Sequence, residues 1–292
     1  MIDKDIIVKS SKEFISLLKK EEYLKEINSE YKIKEILHYS SKSIVCLVAG
    51  IEGNDIIVKK LVGKGRKLRE KIINEYDLLK SMQELSCVPE LYKFDPERNT
   101  IVLSYIKGMD LDKYLYQNSP SLNEKLDLIK SVVSSYRDIY KKGVRHGDVH
   151  PKNIIINNQK QAIILDFGNS GFINSVENSR LRNVGLSFFV APERLSFDCF
   201  NKFIKMPDDK SEVYQVSLLA YLIIYGKLPF QGGTWKKLVN SIKNWDQDLP
   251  GIMAEKDLAT RIYLFLRKGL QKNPNERFNN INEMAEYLKL YF

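Results

Sequence analysis

The sequence has little cysteine, no long hydrophobic run and no apolar N-terminal leader, and each absence excludes a class of protein. Its three cysteines, Cys46, Cys87 and Cys199, show no metal-ligand spacing and are too few for a disulfide framework. Residues 1–5 lack the apolar core of a signal peptide, and the most apolar run, residues 213–225, is too short to cross a bilayer. We therefore expect a soluble, cytoplasmic protein without a membrane span, while export by a dedicated secretion route stays open.

The sequence also lacks internal repeats, low-complexity segments and proline-rich linkers. With 292 residues, of which 43% are hydrophobic, the chain can bury a sizeable core. This length suffices for one domain of two lobes, and it leaves no room for a second large domain.

Positive charge is concentrated in one short stretch of a chain whose formal net charge is +9. A solvated loop is the favoured interpretation, and an acidic or phosphorylated partner is the alternative. No nucleic-acid-binding motif accompanies the charge, so we expect no nucleic acid partner. This stretch, called the basic cluster below, comprises Lys59, Lys60, Lys64, Arg66, Lys67, Arg69 and Lys71.

Two acids and one amide follow each other at a spacing that suits phosphoryl transfer. Residues 146–153 read HGDVHPKN, and residues 165–168 read LDFG. In this order, Asp148 can accept the proton of an attacking hydroxyl, and Asn153 and Asp166 can bind Mg²⁺. The pattern predicts transfer of phosphate from ATP.

The sequence between these motifs predicts a β-hairpin. Residues 154–156 and 162–165 are short apolar runs, and residues 157–160 read NNQK between them. Such a hairpin sets Asn153 and Asp166 at neighbouring strand ends. A chance Asp-Gly turn is the alternative, but it does not explain the order of the two motifs.

From about residue 32 onward, the chain resembles the protein kinase superfamily. Residues 56–59 (IIVK) resemble the strand that carries the ATP-anchoring lysine, and Glu75 matches the glutamate that pairs with it. Alone, Lys59 would be a solvated strand end and Glu75 a helix-surface charge. The resemblance implies that Lys59, held by Glu75, contacts the phosphates of ATP.

The resemblance implies an α+β fold with the two lobes of a protein kinase, a small β-rich N-lobe and a larger helical C-lobe. We expect the N-lobe over residues 31–106 and the C-lobe over residues 107–292, together forming one catalytic domain. Residues 1–30 would be a helical extension, since residues 10–13 (SSKE) read as a capping box. This extension is expected to pack on the small lobe, with docking of a partner as the alternative.

Two downstream motifs resemble those of protein kinases, and the related kinases of small molecules usually lack them. Residues 191–193 (APE) resemble the end of an activation segment, and Arg277 resembles the buried ion-pair partner of Glu193. Residues 210–230 resemble the central helix of the C-lobe.

The resemblance also implies a nucleotide site. Leu37 and Val45 would flank the nucleotide, and Leu103 would guard the back of its pocket. Ser104 and Ile106 would offer main-chain groups to the adenine base.

The loop that covers the phosphates departs from the family. Protein kinases carry three glycines here, whereas this chain has His38, Ser40 and Ser43. Because glycine permits close backbone approach and positive φ, their absence should restrict the loop and could weaken ATP binding.

The catalytic loop departs from the family as well. Gly147 replaces an arginine that receives an activation-loop phosphate, so we expect no switching by that route. His150 replaces the lysine that faces the transferring phosphate, and a histidine is shorter and mostly neutral near pH 7. Lys152 could supply positive charge to the catalytic loop, and the alternative is a solvated surface lysine. In the segment before Ala191, Leu186 replaces the threonine of many serine/threonine kinases.

Three functions follow from these residues. The first is a protein kinase that uses ATP and Mg²⁺ on Ser or Thr of protein substrates, because residues 166–193 are long enough to dock a peptide. The second is a kinase of a small molecule, of the aminoglycoside or sugar type, motivated by Gly147 and His150. The third is a nucleotide-binding pseudokinase, motivated by the missing glycines. In the first case autophosphorylation is expected, with the candidate acceptors Ser170, Ser175, Ser179 and Ser187.

Overall fold

A computed structural model of the chain describes residues 20–50, 53–63, 65–173, 187–198, 207–246 and 248–292. The fold is α+β, with strands concentrated in the N-terminal part and helices in the C-terminal part, as the sequence predicts. None of the helices within these ranges combines the length and apolar character that a membrane crossing requires.

The described residues form two compact units. The first unit runs to Tyr76 and resumes over Glu90–Tyr105, and the second comprises Asp77–Pro89 and Ile106–Phe292. Residues 77–89 group with the second unit, and residues 20–30 group with the first.

The first unit is built on a five-stranded antiparallel sheet. Its spatial order is β1-β2-β3-β5-β4, so that β3 lies at the centre. The strands are β1 (Ile33–Tyr39), β2 (Ser43–Ala49), β3 (Asp55–Leu61), β4 (Leu91–Asp95) and β5 (Thr100–Ser104).

One face of this sheet is covered by a helix, α1, over residues 20–30. Tyr23, Leu24 and Ile27 of α1 pack against the alternate side chains of the sheet, such as Cys46 and Val58. The expected packing of the extension on the small lobe is thus observed for residues 20–30. The predicted capping box at residues 10–13 lies outside the described residues.

The opposite face of the sheet carries Val45 and Lys59, which are cross-strand partners on β2 and β3. Helix α2 (Arg66–Ser81) follows β3 and carries Glu75. Because successive side chains of a strand alternate, Lys59 lies on this face and Lys60 on the face covered by α1.

The second unit is mainly helical and carries two small sheets, of order β6-β8-β9 and β10-β7. Its helices are α3 (Leu111–Asn118), α4 (Leu122–Lys141), α5 (Asp209–Tyr225), α6 (Trp235–Asn244), α7 (Lys256–Gly269) and α8 (Ile281–Tyr291). Its strands are β6 (Gly108–Asp110), β7 (Val144–Arg145), β8 (Ile154–Asn157), β9 (Ala162–Ile164) and β10 (Gly171–Phe172).

Helix α5 is the core of the second unit. It is buried on all sides from Ser211 to Ile224, and it packs against α4, α7 and α8. Asp208 caps its N-terminus by accepting a hydrogen bond from the Ser211 backbone N–H at 2.7 Å, and Gly226 ends it with φ of 70°. A helix that is apolar all round belongs inside a protein, which explains the apolar run in the sequence.

Candidate active site

In the first unit, Lys59 and Glu75 form a buried ion pair. The Lys59 Nζ atom lies 2.6 Å from Glu75 Oε1 and 2.9 Å from Oε2. The two residues are 8% and 1% exposed. Because both oxygens contact Nζ, the carboxylate holds the lysine stem in one position, as the resemblance implies.

The hairpin between β1 and β2 is closed without glycine. The hydroxyl of Ser40 accepts hydrogen bonds from the backbone N–H groups of Lys42 and Ser43, both at 3.2 Å. Val45 is half-buried beside this turn, and Leu37 is 45% exposed at a register shift of β1. The serine side chain therefore binds turn amides that a glycine would leave available to a phosphate.

The predicted adenine contacts begin at the end of β5. Leu103 is buried. The Ser104 N–H donates to Glu90 O, and the Ser104 hydroxyl accepts from Glu90 N–H, each at 2.9 Å. Glu90 therefore takes up both the backbone N–H and the hydroxyl of Ser104. Ile106 belongs to the second unit.

In the second unit, the catalytic loop presents Asp148 with one oxygen held and one oxygen open. The Asn169 amide donates to Asp148 Oδ2 at 2.9 Å. Asp148 Oδ1 is buried and has no hydrogen-bond partner among the described residues. A carboxylate oxygen without a hydrogen-bond partner can accept the proton of an incoming hydroxyl.

Asn153 and Asp166 lie at neighbouring strand ends, as the hairpin predicts. Ile154 pairs with Ile164 in the β8–β9 ladder, and the Leu165 N–H donates to Asn153 O at 2.8 Å. Asn153 donates its amide to Asp148 O at 3.0 Å, which leaves the amide oxygen for a cation. Asp166 has φ of 62° and accepts from the Gly168 N–H at 3.3 Å.

These oxygen donors fit Mg²⁺. Within the described part of the chain, no group of three or more His, Cys, Asp or Glu side chains forms a ready-made metal cage. Mg²⁺ uses one or two protein oxygens together with substrate phosphates and water, so one carboxylate and one amide oxygen are a suitable set.

His146 and Glu212 hold the catalytic loop, and the sequence did not indicate either role. The Gly147 N–H donates to Glu212 Oε2 at 2.8 Å, and the His146 N–H donates to Oε1 at 3.4 Å. Burial raises the pKa of Glu212, and these amide donors oppose that rise. The His146 ring accepts from Asp148 N–H at Nδ1, so its proton lies on Nε2, 2.9 Å from Leu165 O. The sequence carries no local signal for this role of Glu212, because an acid in the first turn of a helix is common.

Replacing Glu212 by glutamine is expected to destabilise the protein by roughly 2–4 kcal/mol, because an amide donor then faces backbone N–H groups that need an acceptor. Equilibrium unfolding in urea measures this loss. Glu286→Gln is the matched control, since Glu286 is exposed on α8. Equal stability of the two variants would contradict this role of Glu212.

The departures in the catalytic loop have structural counterparts. Gly147 has φ of 73°, and a Cβ there would lie 3.3 Å from Asn169 O, so a side chain is disfavoured. His150 is 8% exposed, and burial lowers its pKa against the opposing charge of Asp148, so the ring is neutral near pH 7. Lys152 is exposed, which agrees with the solvated alternative.

The predicted partner of Glu193 is confirmed. Arg277 donates from Nη1 to Glu193 Oε1 and from Nη2 to Oε2, both at 2.8 Å. Arg277 is 3% exposed and stacks over the Tyr214 ring, 4.8 Å from its centroid. This pair fastens the segment before Glu193 to the end of α7 and the head of α5, because Arg277 also donates to the carbonyls of Gln271 and Lys210.

One expected phosphate acceptor is wrong. Ser170 is 2% exposed, and its hydroxyl donates to His146 O at 2.8 Å, so it supports the loop and is not available for phosphorylation. Ser175 and Ser179 lie outside the described residues, and only the backbone of Ser187 is described.

Fewer residues of the basic cluster are accessible than the sequence suggests. Lys59 is bound to Glu75, and Lys60, 4% exposed, donates to Glu26 of α1 at 2.8 Å and to Arg98 O at 2.7 Å. These two lysines are therefore not part of an accessible basic surface. Lys64 and the side chain of Lys67 lie outside the description, and the remaining members are Arg66, Arg69 and Lys71.

Comparison with known proteins agrees with this geometry. A family model described as "Protein kinase domain" matches residues 15–289. The chain is similar to serine/threonine-protein kinase cds1 of Schizosaccharomyces pombe, with 25% identity over 271 residues that cover 88% of this chain and 57% of the yeast protein. It is similar to myosin light chain kinase family member 4 of Homo sapiens, with 29% identity over 203 residues that cover 66% of this chain and 50% of the human protein. It is also similar to serine/threonine-protein kinase PrkC of Bacillus subtilis, with 23% identity that covers 66% of this chain and 29% of the bacterial protein.

The chain thus spans about half the length of the first two relatives and less of the third. The family model, in contrast, covers nearly the whole of this chain. By sequence, fold and site geometry, the chain belongs to the protein kinase domain family.

Proposed function

We propose that this chain is an ATP-dependent protein kinase that phosphorylates Ser or Thr of protein substrates. The observation that carries the proposal is the buried, unpartnered Oδ1 of Asp148, held beside Asn153 at the end of the β8–β9 hairpin. Relatives named serine/threonine-protein kinases support the choice of acceptor.

In the proposed reaction, Lys59 places a positive charge beside the phosphates of ATP, and Glu75 keeps that charge in position. Asn153 and Asp166 hold the metal through their side-chain oxygens. Mg²⁺, when bound, neutralises charge on the transferred phosphoryl group. Asp148 orients the acceptor hydroxyl and takes its proton at Oδ1. Since positioning and electrostatics supply most of the catalysis, neutral His150 is compatible with activity.

The other proposed contacts with ATP follow the family. Leu37 and Val45 flank the nucleotide, and the carbonyl of Ser104 and the main chain of Ile106 bind adenine. Lys152, two residues after His150, supplies positive charge to the catalytic loop. We also propose that residues 31–106 and 107–292 act as the lobes of one catalytic domain, preceded by residues 1–30.

A small-molecule kinase is not favoured. The Glu193–Arg277 pair fastens the end of a segment that is long enough to dock a peptide, and it supports a protein acceptor. The pseudokinase alternative is weakened by the presence of Lys59, Glu75, Asp148, Asn153 and Asp166 together.

We propose a cytoplasmic location. The thiols of Cys46 and Cys87 are buried and free, and burial raises the pKa of Cys87 to about 11, so this thiol stays protonated.

An acidic or phosphorylated partner at the basic cluster would have to use its accessible members, Arg66, Arg69 and Lys71. Arg66 already pairs with Glu70 at 2.8 Å, which weakens that partner proposal.

The acceptor is tested by incubating the chain with Mg²⁺, ATP, a protein acceptor such as casein and a panel of sugars and aminoglycosides. Phosphoserine or phosphothreonine on the protein acceptor is the expected product, detected by peptide mass mapping. Phosphotyrosine alone, or a phosphorylated small molecule without protein labelling, would overturn the proposed acceptor.

A further inference from the structure

Helix α1 holds one of two adjacent lysines near the end of β3. The Lys60 Nζ atom donates to Glu26 Oε1 at 2.8 Å and to Arg98 O at 2.7 Å. We propose that Glu26 is a positioning residue, which acts through Lys60 to keep Lys59 in place beside Glu75. The inference rests on the proposed function, in which Lys59 contacts ATP, and it adds a residue of the N-terminal extension to that function.

The ammonium group of Lys60 is enclosed between α1 and the sheet. Lys60 is 4% exposed, and its Nζ atom lies 5.6 Å from the centroid of the Tyr23 ring. The cavity beside it, whose walls include Ile27 and Val58, has a volume of about 20 Å³. Because this space holds about one water molecule, bulk solvent does not surround the ammonium group. Glu26 supplies the negative charge that compensates it.

The two lysines are coupled through the backbone of β3. Successive side chains of a strand point to opposite faces, so Lys59 reaches Glu75 of α2 while Lys60 reaches Glu26 of α1. Both lysines are paired with residues of β5 in the same ladder. A displacement of the backbone at Lys60 therefore also moves the Cα atom of Lys59.

Removal of the Glu26 charge would leave a buried cation without its ion-pair partner. Such a cation is costly, and it can reach water when the end of β3 moves away from α1. This movement would change the position of Lys59 relative to Glu75. Glu26 therefore influences ATP binding from the opposite face of the sheet, without contacting ATP.

Glu30 lies one turn further along α1 and makes ion pairs of a different kind. It pairs with Lys93 and, at 3.1 Å, with Arg98, whose side chains are 50% and 54% exposed. Exposed pairs contribute little to stability, and neither of these two cations belongs to β3. Glu30→Gln is thus the matched control for Glu26→Gln, because it removes the same charge from the same helix.

Calorimetric titration of the full chain with Mg²⁺ and a non-hydrolysable ATP analogue tests the inference. We expect Glu26→Gln to raise the Kd by about 10-fold and Glu30→Gln to change it by less than about twofold. Hydrogen exchange of β3, measured without nucleotide, gives a second readout. It should be faster in Glu26→Gln than in the wild type and unchanged in Glu30→Gln.

A double variant separates positioning from a general loss of packing. Lys60→Met removes the buried cation and places an apolar side chain of similar length against α1, so that Glu26 is no longer required. We expect Glu26→Gln combined with Lys60→Met to bind the nucleotide within about threefold of the wild type and to restore the exchange of β3.

The outcomes separate the inference from the proposed function. Wild-type affinity in Glu26→Gln, even with lower stability in urea unfolding, would show a merely structural role and overturn the inference alone. Equal weakening of nucleotide binding in the single and double variants would overturn it as well. A wild-type chain that binds no nucleotide would overturn the proposed function and this inference together.

Discussion

Asp166→Asn is expected to lower the rate of phosphate transfer by roughly 10³-fold, while the protein stays folded. The amide is isosteric, can still accept the hydrogen bond from Gly168 N–H through Oδ1, and tolerates the φ of 62° at this position. What it removes is the negative charge that, in the proposed reaction, binds Mg²⁺ beside Asn153. Steady-state transfer of phosphate to a protein acceptor measures the loss, and urea unfolding checks the fold.

The control for this variant is Asp127→Asn. Asp127 lies on α4 with a side chain that is 75% exposed and pairs with Lys130 at 3.5 Å. This substitution should leave both the rate and the stability near wild type. If Asp166→Asn retained transfer within about threefold of the control, the assignment of Asp166 to the metal would be wrong.

Arg277→Met is expected to destabilise the protein by about 3–5 kcal/mol. The change leaves the carboxylate of Glu193, whose side chain is 11% exposed, without its bidentate partner, and it removes donors from the carbonyls of Gln271, Lys272 and Lys210. An apolar side chain of similar length fills the space, so the loss reports charge and hydrogen bonding rather than a cavity. Equilibrium urea unfolding with a constant m-value measures it.

Arg66→Met serves as the control for Arg277→Met. The side chain of Arg66 is 91% exposed and forms an ion pair with Glu70, so its removal should change stability by less than about 0.5 kcal/mol. Similar stabilities for the two variants would show that the Glu193–Arg277 pair does not fasten the segment to the helical unit.

The parts of the site that depend on local sequence could be predicted. Asn153 and Asp166 meet because one short hairpin joins them, and the apolar runs and the turn residues define that hairpin. Lys59 and Glu75 could be paired because they follow each other in strand and helix at a spacing that the family shares. In both cases the order of residue types carries the geometry.

The parts that depend on distant packing could not be predicted. Glu212 binds the Gly147 amide across 65 residues of sequence, and nothing local distinguishes it from a surface acid at a helix start. Because side chains alternate along β3, Lys59 and Lys60 lie on opposite faces of the sheet. The sequence does not indicate, however, that α1 buries Lys60. Ser170 is buried through the contact of its hydroxyl with the His146 carbonyl, which the sequence around Ser170 does not indicate.

The most direct measurement of the central claim is the intact mass of the purified chain after incubation with Mg²⁺ and ATP, for wild type and for Asp148→Asn. We expect added phosphoryl groups on the wild type and none on the variant, because Asp148 Oδ1 takes the acceptor proton in the proposed reaction. The same added mass on both proteins would contradict the account, since transfer would then proceed without the carboxylate on which it depends.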